Sequence, residues 1–306
     1  MVLEISQPGF VWLNGELVEY NAAKINVDSK ISLGICERMR SYPCAEILKE
    51  NTLLLKFDDH LDNFYNSAKA LGLGVGKRIN KDGLREAVLE TIRANEFRTY
   101  SDISVFAWPS CAGDVPDVAI VVKSYESIIS SDDFDKGKKF GIVALKAQLF
   151  DSLLKAKVTA GYINDVLGTW EAKAKGLYGS LFVDSQGSVF GGNYTFLAVV
   201  KNGAVVMQPF PSAMKDTIRD AVITIAKDQG ISVAERNIAK AELLGADEAF
   251  VCGVDVEIVP IAEVDGKAIG GGKLGSVTEQ IAKRFTDATT ARSDRYLDWL
   301  TTVYAE

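Results

Sequence analysis

GADEAFVCGVDVEIVPI, residues 245–261, is the stretch from which the fold is read. Its first half, GADEAFVCG, reads as a short buried strand, too brief for a helix and rich in apolar residues. The apolar run Ala249 to Val256 is interrupted by Asp255 and falls far short of the 18 or more residues a membrane span needs. Working outward, Lys215 to Gln229 predicts a long amphipathic helix closed by Gly230, and Val277 to Asp287 predicts a last helix. Strands are expected at Ser180–Asp184 and Phe196–Lys201, with a helix over Tyr162–Lys175 before them.

The N-terminal part has the same mixed character. FVWLNGELVEY (10–20) alternates around Asn14-Gly15, a strong hairpin signal. A second strand pair fits Cys36–Ala45 and Thr52–Phe57, and two helices follow over Asp59–Leu71 and Lys81–Asn95, the latter with Asn80 as N-cap. Strands over Asp102–Trp108 and Val118–Tyr125 complete a first sheet. ESIISSDDFDKGKK (126–139) is polar and patternless and reads as a linker. Strands cluster instead of alternating with helices, which predicts an α+β class with a small domain at 1–125 and a larger one at 140–306.

Composition narrows the functions. With 47% hydrophobic and 25% charged residues among 306, the chain has the make-up of a globular protein and not of a disordered one. The 34 basic residues against 41 acidic ones leave a net charge of −7, the wrong sign for nucleic acid or an anionic membrane. Met1 to Gly9 lacks the basic and apolar regions of a secretory signal, so a cytoplasmic location is expected. Four scattered cysteines without a CxxC pair argue against a zinc site or a disulfide framework. The single histidine, His60, leaves no room for a histidine-rich metal centre and reads as a residue near the start of an amphipathic helix. Asp58, Asp59 and Asp62 around it suit the positive end of a helix dipole, and no metal is expected. Cys36 reads as a core residue.

Read in order, NGELVEY, GICERMRSY, LLLKFDDHLDNFYNSAKALGL, KAKVTAGYINDVLGTWEAKAKG, LFVDSQGSVF, IRDAVITIAKDQGISVAER, AELLGADEAFVCGVDVEIVPI and GGGKLGSVTEQI resemble the class IV aminotransferases from about Trp12 to Phe285. These are the pyridoxal-phosphate enzymes of fold type IV, which include branched-chain and D-amino-acid aminotransferases and aminodeoxychorismate lyases. The resemblance implies a small α/β domain and a larger barrel-like domain with flanking helices. It also implies pyridoxal phosphate as cofactor, an amino or keto acid as substrate, and a homodimer. In the branched-chain subgroup a Schiff-base lysine lies five residues before a tyrosine. Lys157 and Tyr162 match that spacing, Lys155 is the second candidate, and a nucleophilic lysine needs a partly deprotonated amine.

Most other cofactor positions depart from the family pattern. Asn63 stands where the phosphate-binding arginine is expected, Gly191 where a glutamate meets the pyridine nitrogen, and Val254 where a threonine hydroxyl is expected. The helix N-terminus that cradles the phosphate reads Lys215-Asp216-Thr217-Ile218, with a carboxylate where the dianion would sit. Arg40, Lys56, Lys215 and Arg219 are nearby cations, and Asn193, Tyr194 or Thr195 could face the pyridine nitrogen. Arg40 and Tyr100 match substrate-side elements, and Asp102 occupies the usual place of a substrate-carboxylate arginine. Three functions follow: a pyridoxal-phosphate aminotransferase or lyase, a cofactor-free enzyme using Lys157 as base or Schiff-base former, or a non-catalytic binding subunit.

Overall fold

The computed structural model describes residues 7–44, 51–125, 130–146, 156–184, 186–191, 195–209 and 216–304. The predicted hairpin is present as β1 (Phe10–Leu13) and β2 (Glu16–Glu19), with Asn14 and Gly15 both at positive φ. β3 (Ile35–Pro43) and β4 (Thr52–Leu55) pair antiparallel, α1 (Phe57–Ala70) and α2 (Lys81–Ala94) follow, and β5 (Tyr100–Trp108) and β6 (Asp117–Tyr125) complete the first sheet. Asn80 caps α2 by accepting a hydrogen bond from the Gly83 amide. Strand alternation turns Ile35 and Met39 toward the helices, where they join Leu61, Phe64, Leu84 and Val88 in one buried cluster.

Residues 130–139 are more ordered than their composition suggests. Residues 126–129 lie outside the described residues, but Ser130 caps a short helix α3 (Ser131–Lys136), and β7 (Lys138–Lys146) begins at once. The Ser and Asp residues read as linker polarity are helix-start residues: the Ser130 hydroxyl accepts from the Asp133 amide, and acids favour the first turn.

The second sheet holds β8 (Gly179–Val183), β9 (Ser188–Phe190), β10 (Phe196–Lys201), β11 (Ala204–Met207), β12 (Val233–Glu235), β13 (Ile238–Ala239), β14 (Glu248–Gly253), β15 (Glu257–Val264) and β16 (Lys267–Ala268) beside β7. It is mixed, with β7 parallel to both β15 and β8. α4 (Ile163–Ala174) packs on β7 and β8. α5 (Thr217–Asp228) and α7 (Ser276–Thr289) cover β14, while α6 (Lys240–Leu244) is a short connector beside β13. The expected α+β class is what the chain adopts.

Two features join the sheets. The last strand, β17 (Leu300–Thr302), pairs with β4 in the first sheet, so the expected 140–306 unit does not keep its C-terminal strand. Local sequence cannot reveal such a return, since the pairing partner lies near the other end of the chain. Tyr42 and Leu55 of the first sheet also lie in one core cluster with Ile225, Phe250 and Phe285 of the second half.

Candidate active site

Lys157 is fixed between β3 and α1. Its carbonyl accepts the Cys36 amide at 2.9 Å, and its own amide donates to Ser67 Oγ at 3.0 Å. Its neighbour Val158 bridges to Ile35. The side chain then meets Glu37, with Nζ 2.9 Å from Oε1, and both residues are buried. Glu37 occupies the inward slot of β3 between Ile35 and Met39, where an apolar residue would ordinarily sit.

Glu37 Oε1 is shared. His60, in the first turn of α1, holds Nδ1 at 2.6 Å from the same oxygen, and its Nε2 is 3.0 Å from Thr217 Oγ1 at the start of α5. The two ring nitrogens are thus used by Glu37 on one side and Thr217 on the other, so the imidazole bridges the two residues. The sequence places His60 only on a helix; the fold makes it the bridge between Glu37 and α5. Glu37 Oε2 is buried and has no hydrogen-bond partner among the described residues.

Asp216 sits at the N-cap of α5 and accepts from the Arg219 amide at 2.8 Å. It is 2% exposed. Burial raises its pKa above the ordinary carboxylate value, although Lys157 and the Arg219 amide pull the other way. For Lys157 burial favours the neutral amine, but the Glu37 and Asp216 carboxylates outweigh it and hold the pKa above the usual lysine value. The two carboxylates thus favour the ammonium form, whereas Schiff-base chemistry needs the neutral amine. Cys36 beside it is pushed up to about 12 by burial, so it is an inert thiol.

The three expected substrate-side residues gather on the other face of β3. Arg40 is buried, with Nη2 2.9 Å from the Asp255 carbonyl, Nη1 3.4 Å from Glu257 and Nε 3.3 Å from Asp102. Asp102 is also met by Arg38 at 3.5 Å, and Arg38 pairs in turn with the Asp255 carboxylate. Tyr100 lines a cavity of about 450 Å³ together with Glu257, Phe134, Ile258 and Phe285. Burial raises the pKa of Glu257, with Arg40 opposing.

The remaining positions divide. Tyr162 Oη lies 3.5 Å from the Cys36 carbonyl, close to the lysine. Asn63 is buried on α1 and Thr217 contacts His60, whereas Ile218 is committed to the core formed by α5 and β14. Val254 is buried at the turn between β14 and β15. The Gly191 amide donates to Gln208 Oε1 at 3.0 Å, and a Cβ at Gly191 would lie 2.3 Å from the Thr195 carbonyl oxygen. The backbone there closes off the path an acidic side chain would take. Arg219 is engaged by Glu235, by Asp220 at 3.2 Å and by the Gln208 carbonyl at 3.1 Å. Asn193, Tyr194, Lys155 and Lys215 lie outside the described residues. Among the described residues no cluster of His, Cys, Asp or Glu suits a metal ion, and no helix is long and apolar enough to cross a membrane.

This lysine-centred site, between a small antiparallel sheet and a larger mixed one, defines a fold-type IV architecture. The family model for amino-transferase class IV matches residues 34–264, and the chain belongs to that family. It is 26% identical over 305 residues to the branched-chain-amino-acid aminotransferase of Pseudomonas aeruginosa, covering 96% of this chain and 97% of that one. Among solved structures, the T.th. branched-chain amino acid aminotransferase with pyridoxamine 5'-phosphate superimposes with a TM-score of 0.89 at 27% identity, over 97% of this chain and 99% of that one. The branched-chain aminotransferase of Thermoproteus uzoniensis with norvaline gives 0.87 at 30% identity, over 97% and 100%.

The family implies pyridoxal phosphate, and three features of this chain bear on how that group would be held. A phosphate dianion at the N-terminus of α5 would meet the buried Asp216 carboxylate, with the neutral Asn63 in place of a guanidinium. The Lys157 amine is occupied by Glu37, and no acid can reach the pyridine side from Gly191.

Proposed function

We propose that this protein is an enzyme on the class IV aminotransferase fold that moves a proton on a small keto or amino acid with its own Glu37 and Lys157, without pyridoxal phosphate. The observation that carries the reading is the buried pair itself: an ammonium and a carboxylate 2.9 Å apart, with Glu37 Oε2 left without a hydrogen-bond partner among the described residues. In this reading Oε2 takes the proton from the carbon next to a carbonyl, and the C–H electron pair passes into an enolate. The Lys157 ammonium stabilises the enolate oxygen, an electrostatic role suited to a buried site. The proton then returns to carbon and the net change is an isomerisation or exchange, with no oxidant or reductant required. His60 and Thr217 hold the base in orientation through Oε1. A cytoplasmic homodimer, as the family resemblance implies, is part of this proposal.

A second reading, transamination with pyridoxal phosphate, is favoured by full-length likeness to branched-chain aminotransferases and by the retained Lys157–Tyr162 spacing. The two readings separate in deuterium oxide. The purified chain, incubated with a panel of 2-oxo acids and amino acids including norvaline and followed by proton NMR, should exchange the hydrogen next to the carbonyl (C3 of an oxo acid, Cα of an amino acid) in one class without added cofactor. Glu37→Gln should slow that exchange by about 100-fold or more, the usual range for losing a general base. Exchange that needs added pyridoxal phosphate, or that is untouched in Glu37→Gln, would contradict the proposal.

A further inference from the structure

The N-terminus of a twelve-residue helix such as α5 is a natural seat for an anion, because its first amides have no partner within the helix. In this chain the seat faces the same buried cluster as Lys157 and His60, and a side chain of the protein already fills it. Asp216 accepts the Arg219 amide, Thr217 is turned to His60, and both residues are almost fully enclosed. We infer that the Asp216 carboxyl group occupies the seat of a ligand's phosphate, so that the molecule handled beside Lys157 carries no phosphate at this end. The inference rests on the cofactor-free reading and sharpens it, since it defines the ligand class as unphosphorylated.

Three observations carry the inference. First, charge: the cluster already holds two carboxylates, Glu37 and Asp216, against the single ammonium of Lys157, and a phosphate would add further negative charge in a buried setting. Second, donors: the α1 residue nearest in role to a phosphate clamp is Asn63, which offers a neutral amide where a guanidinium would give two charge-assisted bonds. Third, the carboxylate is part of the helix architecture and not a loose surface group, because it is the N-cap. Removing it therefore opens the seat and uncaps the helix together, unless the replacement is itself a tolerated cap such as Gly or Ser.

The test uses the full chain with inorganic phosphate and pyridoxal 5'-phosphate as probes. Isothermal titration gives the affinities, and absorbance with borohydride reduction reports any lysine adduct. Wild type should bind neither probe at millimolar concentration. Asp216→Ser, which keeps a cap, should bind phosphate about tenfold or more tightly, and Asp216→Gly with Asn63→Arg about 100-fold or more, from the worth of charge-assisted bonds. In the double variant, a band that vanishes on further substitution by Lys157→Ala would show that the opened seat delivers the aldehyde to the lysine. If both variants are folded by circular dichroism and neither binds phosphate better than wild type, Asp216 is only a cap and the inference is overturned. Should the double variant not fold, Asp216→Ser alone decides. A visible, borohydride-sensitive band in wild type would instead overturn the cofactor-free reading, which separates the two failures.

Discussion

Two clusters of charge join the first sheet to the rest of the molecule, and they lie on opposite faces of the same strand. The odd residues of β3 turn inward, and Glu37 there holds Lys157 and His60 in an enclosed group. The even residues turn to the other face, toward the second half of the chain, where Arg38 and Arg40 meet Asp102, Asp255 and Glu257. In the inner cluster the Glu37 and Lys157 side chains are 0% and 4% exposed; in the outer one Arg38, Asp102 and Asp255 are 27–33% exposed. The contrast teaches what each can be for. Enclosed charges pay a desolvation penalty that mere fastening does not require. Apart from the buried Arg40, the groups of the other cluster are partly exposed and form a clamp between β3 and the β14–β15 turn at a smaller penalty.

The comparison breaks first at its inner side. Glu37→Ala leaves an ammonium buried beside Asp216 alone and should destabilise the chain by about 3–5 kcal/mol, read by urea unfolding at pH 7. The double variant Glu37→Met with Lys157→Met should recover most of that loss, because apolar replacement of a buried pair is near neutral. Arg38→Met on the outer face should cost only about 1 kcal/mol or less. Equal losses at Glu37 and Arg38 would remove the distinction between the clusters.

A smaller effect sharpens the role of Asp216. Asp216→Ala should lose about 1 kcal/mol through the cap, whereas Asp216→Asn keeps the cap and should lose little. The two amide-against-acid curves differ with pH. Because the Asp216 pKa is raised, the folded chain keeps that proton to higher pH than the unfolded chain does, and its contribution to stability falls as pH rises above the ordinary carboxylate range. Asp216→Asn should therefore gain on wild type between pH 4 and pH 7.5. A gap that stays constant over that range would show that Asp216 titrates normally.

Much of this architecture was legible beforehand. The Asn14-Gly15 hairpin, α1, α2 and α5 rest on local signals, turn chemistry and helical spacing, while the Lys157–Tyr162 register came from the family resemblance. The site's working partners were harder to read. His60 looks ordinary within its own helix, and its role exists only because α5 approaches α1 from 157 residues away. Glu37 alternates like any strand residue, and only the enclosing helices make its carboxylate unusual. Asp216 could be read as a carboxylate at an anion site, but its function as N-cap depends on where α5 begins. The return of β17 to β4 has no local signature at all.

The central claim is that Lys157 is held as an ammonium by Glu37 and is not a free nucleophile. Its raised pKa means that its favourable contribution persists below the ordinary lysine value, about 10.4, and is lost only as pH rises through the higher folded value. Nitrogen-15 NMR of the lysine side chains, with Lys157→Met to assign the signal, tests this directly. The account predicts a protected ammonium signal for Lys157 Nζ that persists from pH 7 to pH 10. A Lys157 nitrogen that titrates to the neutral amine below pH 9 would contradict it.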